Sequence, residues 1–326
     1  MNAPNNQSTI VSAADAREFP PFSLARLLGS VFTPTEGMKV CVLIDLENLH
    51  DVKDFAFLED DSLAVQKKAY AVFYRGLHEA VMETLGMLGG EFYAYHISGG
   101  SNLDLRDEAV QSTGREVSLE KDVYPNYDII LCISTFSATA PLTALAKEHN
   151  FRGATLHGLN DVIIDSGLSV DYGDVSADAE KLRLALTRAD TIEIDFSIED
   201  HGETTCRLEL GGQEAQKSHG LCHGLTPDIA NLPAGEVYFV PTGAEGLFPL
   251  KYEDGTLGLL EVSGGQIRKS TLVEGEQATI DEHNAMLKAD PMTGVLGELG
   301  FGTQVLPVSG ADIQDEKVLG TCHLAT

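Results

Sequence analysis

Up to about residue 190 the chain alternates short apolar runs with stretches of helical spacing, a rhythm that argues for an α/β layer around a mostly parallel sheet. Lys39-Val40-Cys41-Val42-Leu43-Ile44-Asp45 is apolar almost throughout, as a strand buried on both faces must be. Residues 63–87 then place Ala64, Ala71, Val72, Leu77, Val81 and Leu85 at helical spacing, with Gly89-Gly90 as the stop signal. Further strands are predicted over 91–98, 127–134 and 153–157, with helices over 141–149 and 177–189.

Beyond residue 190 the texture changes. Glycine becomes frequent and the apolar runs shorten to 191–198, 204–210, 236–240 and 256–262, read as antiparallel strands. Turns such as Glu253-Asp254-Gly255 and Ser263-Gly264-Gly265 join them, and one helix over 280–288 interrupts them. The expected organisation is a loose tail over 1–20, a mostly parallel α/β domain over 21–185, and a strand-rich α+β domain over 186–326.

Charge narrows the partners. Against 22 Lys and Arg stand 50 Asp and Glu, a net charge of −28, which repels nucleic-acid phosphate and anionic lipid. No apolar run approaches the ~18–20 residues that span a bilayer, and the first twenty residues lack the basic flank and apolar centre of a signal peptide. The cysteines are Cys41, Cys132, Cys206, Cys222 and Cys322, odd in number and widely spaced. That pattern argues for free thiols in a reducing, cytoplasmic setting.

The residues that carry chemistry lie late in the chain. Pro233-Ala234-Gly235 forms a turn that starts a strand and fixes the Glu236 carboxylate at its mouth. Glu298 stands between Gly297 and Gly300-Phe301-Gly302, where glycines permit close backbone approach or a tight bend. An acidic linker, Asp315-Glu316-Lys317, leads to Gly320-Thr321-Cys322-His323-Leu324, which places His323 on one face of a strand. Other clusters are weaker. His219, Cys222 and His223, with Cys206, lack a matched second pair for structural zinc, and this loop before Asp228 is better read as the rim of a pocket. Asp281-Glu282-His283 reads as a solvated helix face. Gly211-Gly212 and Gly264-Gly265 open no helix after a parallel strand, and no Gly-x-Ser-x-Gly elbow occurs.

Taken together, Leu232-Pro233-Ala234-Gly235-Glu236-Val237, Gly297-Glu298-Leu299-Gly300 and the Asp315–His323 stretch resemble the aminopeptidase T family of metallo-aminopeptidases. The resemblance is strong over 190–326 and general over 1–190. It implies an N-terminal α/β domain, a metal-carrying strand-rich domain and a homodimer. It places Glu236, Glu298 and His323 on three metal-ligand positions. The family pattern continues to a tyrosine and a His-x-Asp pair, which would fall beyond Thr326, so the implied site is partial and holds either no metal or one divalent ion (zinc, cobalt or manganese).

The leading expectation is therefore a peptide-binding protein on a degenerate aminopeptidase scaffold. Glu236, Glu298, His223 and Asp228 would meet the peptide's amino-terminal region, with little or no hydrolysis. One alternative is an active leucyl aminopeptidase completed by other residues or a second subunit. Another is a relative of single-iron, ring-cleaving dioxygenases of dihydroxypyridines, which resemble the same scaffold.

Overall fold

In the computed structural model, which describes residues 17–326, the chain forms two compact units. Of the described residues, the first gathers 17–179 with 218–236 and 302–321, and the second 180–217, 237–301 and 322–326. Residues 1–16 of the expected tail lie outside the described residues.

The first unit is built on a seven-stranded sheet. Its strands are β1 (Lys39–Leu46), β2 (Leu88–His96), β3 (Glu108–Gln111), β4 (Glu116–Ser118), β5 (Ile129–Ser134), β6 (Arg152–His157) and β10 (Asp228–Asn231), in the order β10-β6-β5-β1-β2-β3-β4. β1, β2, β5, β6 and β10 run parallel, while β3 and β4 add an antiparallel edge. Alternation along β1 explains why both faces are covered. Val40, Val42 and Ile44 enter one core with Leu27, Leu28, Phe73 and Leu77, whereas Cys41 and Leu43 enter another with Tyr95, Tyr124 and Phe151. The sheet is thus a parallel-rich α/β layer, as the alternation of runs predicts.

Helices α1 (Leu24–Phe32), α2 (Thr139–His149) and α3 (Tyr172–Leu186) flank the strands in sequence. Between α1 and α2 a long helical stretch runs from Ala64 to Leu85, widened to π-helical turns at Ala69–Tyr74 and Leu77–Val81. Its stop is Gly86, left-handed at φ 65°, and not Gly89-Gly90. Those two glycines lie inside β2, where a side chain on Gly89 would strike the Val40 carbonyl oxygen at 2.6 Å.

Ligands of open parallel sheets commonly bind beyond the strand ends, where strand order reverses. Here that point, between β1 and β5, is closed from within. Asp45, buried at the end of β1, accepts hydrogen bonds from the Thr135 backbone amide at 2.9 Å and from Gln66 Nε2 at 2.6 Å. Burial pushes its carboxyl up, and these bonds oppose the shift.

The second unit contains a five-stranded antiparallel sheet, β14-β13-β12-β8-β7, from β7 (Thr191–Ile198), β8 (Gly202–Glu209), β12 (Gly243–Lys251), β13 (Leu257–Ser263) and β14 (Gln266–Glu274). Helix α4 (Gln277–Ala289) is pinned to β14: Asn284 accepts from the Ser270 amide at 2.8 Å and donates to its carbonyl at 2.9 Å. Asp281 and Glu282 are exposed, and His283 Nδ1 hydrogen-bonds the Tyr252 hydroxyl.

A smaller sheet, in the order β16-β15-β11-β9, contains β9 (Gln216–Ser218), β11 (Glu236–Phe239), β15 (Glu298–Gly302) and β16 (Cys322–Ala325). No described helix is long and apolar enough to cross a membrane.

Candidate metal centre

The small sheet assembles the site. Glu236 opens β11 and is 4% exposed. The residue before it has to be glycine: Gly235 has φ 128°, and a side chain there would meet Gln304 Cγ at 2.3 Å. Its amide donates to the Ser218 carbonyl at 3.0 Å and its carbonyl accepts from the Thr303 amide at 2.9 Å, so the backbone is pinned where the carboxylate leaves it. This is the fixing role the Pro-Ala-Gly turn predicts.

Glu298 opens β15, and His323 sits on β16 directly opposite Gly300. Side chains opposite each other in an antiparallel pair share a face, as do residues two apart on one strand, so Glu298, Gly300 and His323 face the same way. The missing side chain at Gly300 is the point of contact. A Cβ there would stand 2.1 Å from His323 Cε1 and 2.3 Å from its Nε2. The imidazole therefore lies over the glycine, with Nε2 3.1 Å from Glu298 Oε1.

One donor atom from each of Glu236, Glu298 and His323 lies within 4.8 Å of the other two, the one group of three or more His, Cys, Asp or Glu residues so placed among the described residues. The sequence names all three. His223 and Asp228 are placed elsewhere: His223 Nε2 meets the Ser30 carbonyl at 2.7 Å, and Asp228 begins β10, its carbonyl 3.3 Å from Cys222 Sγ.

A fourth residue carries no role in the sequence reading. Lys317, after helix α5 (Asp312–Asp315), is buried with its side chain 1% exposed. Its Nζ lies 2.6 Å from Glu236 Oε1 and pairs also with Glu316. Burial alone would lower the ammonium's pKa, but the two carboxylates together outweigh it and hold the value above the ordinary lysine range. The supposed acidic linker thus sends its cation inward, while Asp315 caps the preceding loop by accepting from the Ser309 and Gly310 amides.

Two carboxylates and one imidazole are hard and borderline donors, suited to Fe(II), Mn(II) or Zn(II), and three protein ligands leave positions open for water or substrate. The arrangement is compatible with one divalent metal ion. Elsewhere, an open groove of about 480 Å³ is lined by His50, His96, Glu116 and Asp122, among others, but those side chains do not converge into such a group.

No protein-family model and no curated relative matches the sequence. The structure is similar to that of 2,5-dihydroxypyridine dioxygenase from Pseudomonas putida KT2440, with a TM-score of 0.54 over 97% of this chain and 83% of that one, at 14% identity. At that identity the likeness concerns the fold. It overturns the aminopeptidase T resemblance: the late motifs match no family model, and the structural relative found is a dioxygenase. The glycine-flanked glutamates describe how a carboxylate is fixed, a requirement that many metal sites share. Peptide binding draws no support from this likeness.

Proposed function

We propose that this chain is a single-metal oxygenase related in fold to ring-cleaving dioxygenases, with Glu236, Glu298 and His323 holding one ferrous ion. The observation that carries the reading is the convergence of these three side chains within 4.8 Å on one sheet. The dioxygenase-like fold over nearly the whole chain supports it. When bound, iron would supply redox chemistry toward dioxygen that no side chain here possesses.

The chain's own residues define what surrounds such an ion. Lys317 orients Glu236 through a short charge-assisted hydrogen bond. Gly300 leaves the space in which the His323 ring lies. Glu236 and Lys317 are shielded from water on the inner side, while Glu298, about a third exposed, faces the approach of a substrate. The substrate class that fits this reading is a dihydroxylated aromatic ring, tested first with 2,5-dihydroxypyridine. The five free thiols support a reducing, cytoplasmic setting for a ferrous site.

Elemental analysis and anaerobic calorimetry with Fe(II) test the centre, and an oxygen electrode with 2,5-dihydroxypyridine or catechol tests the chemistry. The expected result is one ion per chain and substrate-dependent oxygen uptake that His323→Ala abolishes. Failure of the protein to bind Fe(II), Mn(II) or Zn(II) would remove the proposal. Metal binding without oxygen uptake on any dihydroxylated ring would remove the oxygenase part alone.

A further inference from the structure

The small sheet places one more side chain on the face that carries the three donors. β11 and β15 are neighbours in it. The Thr303 amide donates to the Gly235 carbonyl at 2.9 Å. From that bond β15 runs back to Glu298 and β11 forward to Phe239, so the two strands are antiparallel. Tyr238 lies as far from the bond along β11 as Gly300 does along β15, which sets them side by side. Gly300 thus has His323 across from it on one neighbouring strand and Tyr238 on the other. Alternation gives Tyr238 the face of Glu236, while Val237 and Phe239, both 0% exposed, take the opposite one. Tyr238 itself is half-buried. Tyr238, Glu298, Gly300 and His323 all belong to the second unit.

We propose that Tyr238 is the aromatic wall of the metal centre, favouring flat ring ligands over aliphatic ones at the ion's open positions. The inference rests on the metal-centre reading above and deepens it by naming the residue that selects an aromatic ring. A tyrosine reaches farther from its strand than a glutamate, so its ring stands beside and beyond carboxylate oxygens that rise from the same face. The carboxylates offer a ligand no aromatic surface, and the His323 ring is laid over Gly300. A planar ligand beside Tyr238 gains a ring contact, with centroids ~4.5–7 Å apart, that an aliphatic chelator does not. The ring makes this selection, whatever the hydroxyl bonds.

The test is isothermal titration of the full chain and then of its Zn(II)-loaded form, in the native protein, Tyr238→Phe and Tyr238→Leu. 4-Nitrocatechol serves as the flat ligand and acetohydroxamate as the aliphatic one. A ring contact of ordinary strength predicts 4-nitrocatechol binding at least ~fivefold weaker in Tyr238→Leu and native-like in Tyr238→Phe. Zn(II) and acetohydroxamate affinities should stay within ~twofold of native throughout. Circular dichroism checks each fold. Unchanged 4-nitrocatechol binding in a folded Tyr238→Leu, an equal loss for both ligands there, or the same loss in Tyr238→Phe would overturn the proposal. So would a native Zn(II) protein that binds no 4-nitrocatechol. Should Tyr238→Leu fail to fold, a crystal structure of the native Zn(II) protein with 4-nitrocatechol decides: centroids of the two rings within ~7 Å support the wall, and a wider separation rejects it. A native chain that takes up no Zn(II) marks failure of the metal-centre reading itself, and the proposal falls with it.

Discussion

Substituting Gly300 by alanine adds one carbon at the place where the His323 ring lies. That carbon would stand 2.1 Å from Cε1, 2.3 Å from Nε2 and 3.0 Å from Nδ1. Carbon–carbon contacts settle near ~3.5–4.0 Å, so the ring must retreat by more than ~1 Å. Its Nε2 now sits 3.1 Å from Glu298 Oε1, and a retreat of that size in the direction away from β15 breaks the hydrogen bond. The backbone has no objection: Gly300 lies in a β-strand and is not among the glycines with positive φ, so alanine fits the conformation. Global stability should therefore change little, because alanine's gain of ~0.5–1 kcal/mol over glycine in a strand offsets part of the local strain. Metal affinity should fall sharply. Displacing a positioned imidazole costs on the order of 10–100-fold, or ~1.4–2.7 kcal/mol. Anaerobic titration with Fe(II) and Zn(II), alongside thermal denaturation, separates the two effects. A folded Gly300→Ala protein that binds metal as tightly as the native chain would refute the assignment of His323 as a ligand.

Three further expectations concern stability. Arg152, 4% exposed, donates from Nη1 to the carbonyls of Phe32 and Cys222 at 2.7 Å each, so Arg152→Ala should cost about 2–4 kcal/mol in urea denaturation, and a loss below ~1 would contradict that role. The Tyr124 hydroxyl is buried with no hydrogen-bond partner among the described residues. Tyr124→Phe should thus be neutral or stabilising by up to ~1 kcal/mol, and a clear destabilisation would show that the hydroxyl is bonded in solution. Hydrogen bonds from Arg183 and Lys217 pull the Glu180 pKa from its ordinary 4.5 down to about 2. A depressed carboxyl stabilises the fold fully above the ordinary value and loses that contribution as pH falls toward the depressed one, so Glu180→Gln should flatten the acid limb of a stability–pH curve between about 4.5 and 2. An unchanged limb would mean that solvent screens the cluster.

Much of the fold is legible along the chain because burial on two faces leaves a continuous apolar mark. β1, β5 and β6 are read from such runs to within a residue or two, and the strand Thr191–Ile198 from a shorter run of the same kind. The strands that escape are short or polar. β3 and β4 carry exposed Glu108 and Glu116 at the sheet's antiparallel edge. β10 has four residues and begins with an exposed aspartate, and its parallel partner β6 lies far back in the sequence. Nothing in Thr226-Pro227-Asp228-Ile229-Ala230-Asn231 announces that pairing, and no strand is predicted there. The same hidden return explains why the two units interleave along the chain, whereas a change in local texture suggests a single boundary.

The site divides along the same physical line. Glu236, Glu298 and His323 are legible because each stands in a backbone context that only fixed side chains need: Gly235 against Gln304, Gly300 beneath the imidazole. Those glycines record steric demands, and steric demands leave their trace in sequence. Lys317 leaves none. Its neighbours Asp315 and Glu316 are the residues of an ordinary solvated stretch, and the choice to turn the cation inward is made by where Glu236 arrives, eighty residues earlier in the chain. Charge pairing across that separation has no periodicity. The sequence motifs could therefore point to the three side chains that converge and still point to the wrong family, because what such a group would hold depends on the charge around its donor atoms as much as on their identity.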